Sequence, residues 1–152
     1  MHEPIEVLLV EDDPGDVKLT EKSLQESKLL VNLNHIPNGQ KAMEYLRGEA
    51  DYKGAARPDL ILLDLNMPIK DGRQTLKEIK DDPALRTIPV VILTTSAADT
   101  DIVKSYTLGA NCYVTKPVDF EQFQKVIHEI SEFWFTVVKL PGEAESFSRK
   151  EI

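Results

Sequence analysis

Acids, a hydroxyl and a lysine punctuate the ends of short apolar runs in this sequence. Glu11-Asp12-Asp13 follow Ile5–Val10, and Asp64 follows Leu60–Leu63. Thr94-Thr95-Ser96 follow Val90–Leu93, and Lys116-Pro117 come soon after Cys112–Val114. If these runs are strands of an open parallel sheet, the residues beyond their carboxyl ends share one rim, where such sheets place function. Glu11, Asp12 and Asp64 would then bring about three negative charges together, and carboxylates that close raise one another's pKa. A Mg²⁺ ion with Lys116 supplies about three positive charges and removes the conflict. The oxygen-only donors, with no His/Cys cluster, favour a hard cation over zinc. A carboxylate beside Mg²⁺ and a lysine can attack a phosphoryl group, because cations stabilise the equatorial oxygens of the transition state. Thr94 has the chemistry to hydrogen-bond that group once bound.

The elements that must position these residues follow from periodicity. The runs are nearly continuous in Val, Ile and Leu at 5–10, 60–63 and 90–93, the pattern of strands covered on both faces. Val31-Asn32-Leu33-Asn34-His35-Ile36 alternates instead and reads as an edge strand with one wet face. Between the runs lie helix signals. Asp13-Pro14 predicts a capped helix through about Lys28. Asn38 caps a second helix carrying Ala42, Met43 and Leu46. Asp71 starts a third, stopped before Pro83. Asp99–Leu108 makes a fourth, ended by Gly109 as a left-handed cap. Asp119, with Gln122 three residues on, opens a fifth as a capping box. Its stripe Phe120, Phe123, Ile127, Ile130, Trp134 and Val137 forms one face. Five such units predict a doubly wound α/β domain, with residues 141–152 as a frayed polar tail.

Composition sets the outer limits. In 152 residues, 41% are hydrophobic, enough for one domain with a real core. With 18 basic and 26 acidic side chains the formal charge is −8, a poor match to nucleic acid or anionic lipid. The single cysteine, Cys112, precludes an internal disulfide framework and fits a reducing compartment. No apolar run approaches the roughly 20 residues of a membrane helix. Met1-His2-Glu3-Pro4 has neither a basic n-region nor a cleavage site, so the expected location is cytoplasmic.

Val10-Glu11-Asp12-Asp13, Leu63-Asp64-Leu65-Asn66-Met67-Pro68, Leu93-Thr94 and Tyr113-Val114-Thr115-Lys116-Pro117, in this order, resemble the receiver domain of two-component response regulators. The resemblance covers about residues 4–135 and implies a flavodoxin-like sheet of order 2-1-3-4-5 with five helices, in a receiver domain spanning 4–140. It further implies Asp64 as phosphoacceptor, and Mg²⁺ on Asp12, Asp64 and the Asn66 backbone carbonyl. Glu11 would act on the metal through water, and Lys116 would contact the phosphoryl oxygens. Thr94 and Tyr113 would be the switch pair, with Asn66 and Ser96 tuning dephosphorylation. The family often has a cis peptide at Lys116–Pro117. One departure is Glu11, one methylene longer than the common Asp. More narrowly, the Asp-Pro-Gly-Asp start, the long Tyr45–Pro58 connection and the ending Phe133–Pro141 look like single-domain regulators paired with cyanobacterial phytochrome kinases.

Simpler readings compete residue by residue. The acids after the first run suit a helix N-terminus by themselves. Tyr113 could be an ordinary half-buried strand residue, Thr95 a packed neighbour, and Cys112 a small buried side chain. The three histidines receive no role. Two other functions compete with a phosphorylation switch: a Mg²⁺-dependent aspartyl-phosphate phosphohydrolase and a flavodoxin-like nucleotide or flavin binder. Haloacid-type hydrolases want a carboxylate two residues after the nucleophile, where Asn66 stands. A nucleotide binder wants a Gly- or Ser/Thr-rich loop where Glu11-Asp12-Asp13 stand. The expected activity is therefore a switch phosphorylated by a sensor histidine kinase, phytochromes among the candidates, and not a dedicated enzyme. With no output domain expected after residue 141, the signal would pass by contact with a downstream protein.

The last expectation concerns self-association. Val126, Phe133, Val138 and Leu140 lie off the stripe of the fifth helix, and Phe135 adds another large group. Such a patch predicts a homodimer through the C-terminal helix region. The alternative is that the segment after Thr136 folds back over its own domain.

Overall fold

The computed structural model describes residues 4–26 and 30–142. Five strands form one sheet: β1 (Ile5–Val10), β2 (Val31–Ile36), β3 (Leu60–Leu63), β4 (Val90–Thr94) and β5 (Cys112–Thr115). All pairings are parallel and the order is β2-β1-β3-β4-β5, so the chain reverses direction of travel between β1 and β3. The three central strands are the apolar ones, as expected for strands with helices on both sides. The alternating β2 lies at an edge, with Asn32 and His35 exposed.

Helices α1 (Pro14–Gln25), α2 (Gly39–Arg47), α3 (Gly72–Asp81), α4 (Asp99–Thr107) and α5 (Phe120–Glu132) fill the gaps. Side-chain alternation along the strands splits the core into two layers. Leu8, Val10, Ile61 and Leu63 pack with Met43 of α2 and Leu76 of α3. Val7, Leu9, Leu60 and Leu62 face the other way, toward Val17 of α1 and Ile127 of α5. Asn38 and Asp71 cap their helices through Lys41 N and Gln74 N, and Gly109 takes φ 106° after α4. The first helix stops at Gln25, earlier than the sequence suggests, and Lys28 lies outside the described residues. At α5 the Asp119 carboxylate accepts from Glu121 N, one residue short of the expected capping box.

The C-terminal expectation needs correction. Phe123, Ile127, Ile130 and Trp134 are buried as the stripe predicts, but Phe120 and Val137 are exposed. The helix ends at Glu132 and continues as a π-helical turn, Phe133–Val137, which rotates the later residues off the α-helical register. Phe135 and Val138 consequently pack against the core of their own domain, Val126 does so from within α5, and Leu140 is 3% exposed in that core. Folding back is the observed arrangement up to Leu140. Of the off-stripe groups only Phe133 stays largely open, at 53%. Of the expected tail, Pro141 and Gly142 are half-buried and the rest lies outside the described residues.

Candidate functional site

Parallel pairing brings four strand ends to one level. The register sets Val10 beside Leu63, Leu63 beside Ile92, and Thr94 beside Thr115. The residues that follow, Glu11-Asp12, Asp64 and Lys116, therefore meet, with Thr94 at the end of its own strand. Glu11, Asp64, Thr94 and Lys116 are buried, whereas Asp12 is exposed.

Lys116 is the hub of this rim. Its Nζ donates to Glu11 Oε2 in a close contact, to Asp16 Oδ2 at 2.9 Å and to Asp64 Oδ2 at 3.5 Å. Burial disfavours the ammonium, yet the hydrogen bonds to Glu11 and Asp16 outweigh it and hold the lysine pKa above its ordinary value. Burial pushes the Glu11 carboxyl up to about 7, against the downward pull of Lys116, with the nearby Asp64 charge adding to the rise. The resulting carboxylate crowding is the one the sequence predicts, and the lysine neutralises part of it.

Backbone groups fix the acids. Asp13 N donates to Glu11 Oε1 at 3.1 Å, and Asn66 N donates to Asp64 Oδ1 at 3.2 Å. His35 Nε2 lies 2.7 Å from the Glu11 carbonyl, which can only accept, so the imidazole carries its proton there. Sequence reasoning gave His35 no role. Its place at the end of edge strand β2, one residue before Ile36, is the signal that could have found it.

Glu11, Asp12 and Asp64 each offer a carboxylate oxygen within 4.8 Å of the others, the one such group among the described residues. Mg²⁺ holds oxygens at about 2.0–2.1 Å in an octahedron, so neighbouring ligands sit roughly 3 Å apart and opposite ones about 4 Å. The donor set fits a divalent cation of this kind after small side-chain adjustments. Asn66, two residues after Asp64, is exposed.

The far side of the rim is tied by a chain of polar contacts that the sequence did not reveal. Arg73 of α3 grips Asp101 of α4 through Nε at 2.9 Å and a second guanidinium nitrogen at 2.8 Å. Ser96 Oγ donates to the same carboxylate at 2.6 Å. Tyr113 Oη donates to the Ser96 carbonyl at 2.8 Å, and Ser96 N points at Thr94 Oγ1 at 3.5 Å. Tyr113 is thus half-buried with its hydroxyl engaged. Ser96 spends its hydroxyl on Asp101. Thr95 is exposed, contrary to the packed neighbour expected, and Cys112 is half-buried, its thiol pushed up by burial. The Lys116–Pro117 bond is trans, unlike the common family form.

Comparison with known proteins agrees with this geometry. A family model described as the response regulator receiver domain matches residues 7–128. Response regulator Rcp1 of Synechocystis is 44% identical over 139 residues, covering 91% of this chain and 95% of the relative. A probable methanogenesis regulatory protein, FilR2 of Methanothrix harundinacea, is 35% identical over 142 residues, 93% of this chain and 91% of its own. Among solved structures, the phosphorylated cyanobacterial phytochrome response regulator RcpA superposes with a TM-score of 0.89 at 45% identity, over 91% of this chain and 99% of its own. The Mn²⁺-bound form of Rcp1 superposes with a TM-score of 0.88 at 43% identity, over 91% and 99%. No helix among the described residues is long and apolar enough to cross a membrane. With five strands in the order 2-1-3-4-5 and one rim that gathers the acids, the threonine and the lysine, the chain belongs to the response regulator receiver domain family.

Proposed function

We propose that this receiver takes a phosphoryl group from a sensor histidine kinase onto Asp64, holds it with the help of Mg²⁺, and signals through contact with another protein. The observation that carries the reading is the placement of Asp64. Its carboxylate lies at a strand end within reach of two further metal-competent acids and of a buried ammonium. An Asp64 oxygen attacks the phosphorus as the bond to the kinase histidine nitrogen breaks, leaving neutral imidazole and an acyl phosphate. Asp12, Asp64 and the Asn66 carbonyl would hold the cation, with Glu11 acting through water. When bound, that cation supplies positive charge to the phosphoryl oxygens. Lys116, whose Nζ lies 3.5 Å from Asp64 Oδ2, offers a second cation. Thr94, at the end of β4, would hydrogen-bond the arriving group, and Tyr113 would follow as its partner. The likeness to RcpA and Rcp1 supports a phytochrome-type kinase as the donor.

The phosphohydrolase alternative gains no support, since Asn66 cannot act as the general acid that turnover needs. Incubation with acetyl phosphate and Mg²⁺ tests the proposal by intact mass. Wild type should gain one phosphoryl group and Asp64→Asn none; a fully labelled Asp64→Asn protein overturns the assignment. The exposed Phe133 and Val137, in the π-helical turn after α5, support a two-fold contact between subunits as a second element of this reading.

A further inference from the structure

Asp16 stands in the first turn of α1, four residues after Asp12, and its carboxylate reaches into the rim. The 2.9 Å contact from Lys116 Nζ to Asp16 is shorter than the 3.5 Å contact to Asp64. A helix N-terminus tolerates an acid for its own reasons. The macrodipole does not, however, explain an ion pair with a buried lysine 100 residues away in sequence. An ammonium has three N–H donors. Glu11 and Asp16 take the short contacts and leave Asp64 the weakest share.

We propose that Asp16 is a positioning residue that competes with the phosphoryl group for Lys116 and so slows phosphorylation of Asp64. The inference rests on Asp64 being the phosphoacceptor. As phosphoryl oxygens arrive at Asp64, Lys116 must turn toward them, and each step in that direction weakens its pair with Asp16. The Asp16 side chain is 27% exposed, so solvent is at hand to rehydrate the carboxylate once the lysine leaves. Glu11 lacks that route, being 3% exposed, and stays with the ammonium.

The test compares initial rates of labelling by acetyl phosphate with Mg²⁺ in wild type, Asp16→Asn and Asp16→Glu, and repeats the Asn change in a Lys116→Ala background. Asp16→Asn should label about threefold to tenfold faster. Asp16→Glu, which restores the charge, should return toward the wild-type rate. In Lys116→Ala the Asn change should lose most of its effect, which a merely structural role or general charge repulsion would not do. An unchanged or slower Asp16→Asn, or an equal acceleration without Lys116, overturns the proposal. A second readout is independent of phosphate transfer: the Lys116 Nζ resonance at fixed pH should move in Asp16→Asn, and an unmoved resonance also overturns it. Wild type that takes no phosphate while that resonance moves would instead refute Asp64 as acceptor, and with it the competition.

Discussion

Arg73 and Asp101 form a two-pronged ion pair that fastens α3 to α4 across the rim of the sheet, at 2.9 and 2.8 Å. Both side chains are mostly shielded from water, and the pair carries Ser96 on the same carboxylate. Charge-assisted, bidentate contacts of this kind exceed the near-zero contribution of open surface pairs. A double-mutant cycle over Arg73→Ala and Asp101→Ala, read by urea denaturation, should give a coupling of about 1–2 kcal/mol. Additive losses would show that the two helices are held by packing alone.

The same pair sets a pH dependence. Hydrogen bonds from Arg73 and Ser96 hold the Asp101 carboxyl down at about 2, below the ordinary 3.8. The folded protein therefore binds fewer protons at this group than the unfolded chain between those values. Its stabilisation is fully present above about pH 4 and disappears as pH falls through 2. Urea midpoints from pH 5 to 2 should fall less steeply for Asp101→Asn than for wild type. Parallel curves would mean that the carboxylate is not held as described.

Switching should run through the same region. Tyr113 is tied to the Ser96 carbonyl, and Ser96 N approaches Thr94 Oγ1, so a pull on Thr94 reaches both residues and, through Ser96, Asp101. Thr94→Ala should accept phosphate at close to the wild-type level yet lose the phosphorylation-dependent NMR shifts of α4. Retained shifts would place the trigger elsewhere.

What was legible in the sequence was what obeys a local rule. Continuous Val, Ile and Leu runs gave the central strands, and Asn38, Asp71 and Asp119 the helix starts, because caps and periodicity act over a few residues. The rim residues were legible because each ends a strand or follows one within two residues. Asp16, His35 and the Arg73–Asp101 pair were not, since their partners are set by tertiary register and by how far a long side chain reaches. The C-terminal end departs from its periodicity because a π-helical turn starting at Phe133 breaks the 3.6-residue period that would place Val137 on the buried stripe.

Gly72 provides a steric test of the acceptor loop. A Cβ there would lie 2.1 Å from the Asp64 carbonyl oxygen and 2.7 Å from Leu65 Cα. Helix propensity alone favours Ala over Gly by up to about 1 kcal/mol. The clash is with backbone, which cannot swing aside, so sterics should win. Gly72→Ala should destabilise by about 2 kcal/mol or more and slow labelling of Asp64. A stabilised variant would mean that the loop yields freely.

The C-terminal segment separates packing from association. Leu140 is buried beside Trp134 and the sheet, so Leu140→Ala should cost about 2–4 kcal/mol through lost transfer energy and a residual cavity. Phe133 and Val137 are 53% and 68% exposed, and the Phe133 ring meets the buried Trp134 edge-on at 5.7 Å. Phe133→Asp should therefore cost only about 1 kcal/mol of stability, less than Leu140→Ala. Its larger effect should fall on self-association. Fully burying a large apolar side chain contributes about 1.5–3 kcal/mol, and two per subunit barely exceed the cost of bringing two molecules together. The contact is then weaker than a patch of five groups would give. Sedimentation of wild type at tens to hundreds of micromolar should show monomer and dimer in exchange, shifted toward monomer by Phe133→Asp. Wild type that stays monomeric over this range, with and without phosphodonor, would refute the two-fold contact and leave the segment with a packing role only.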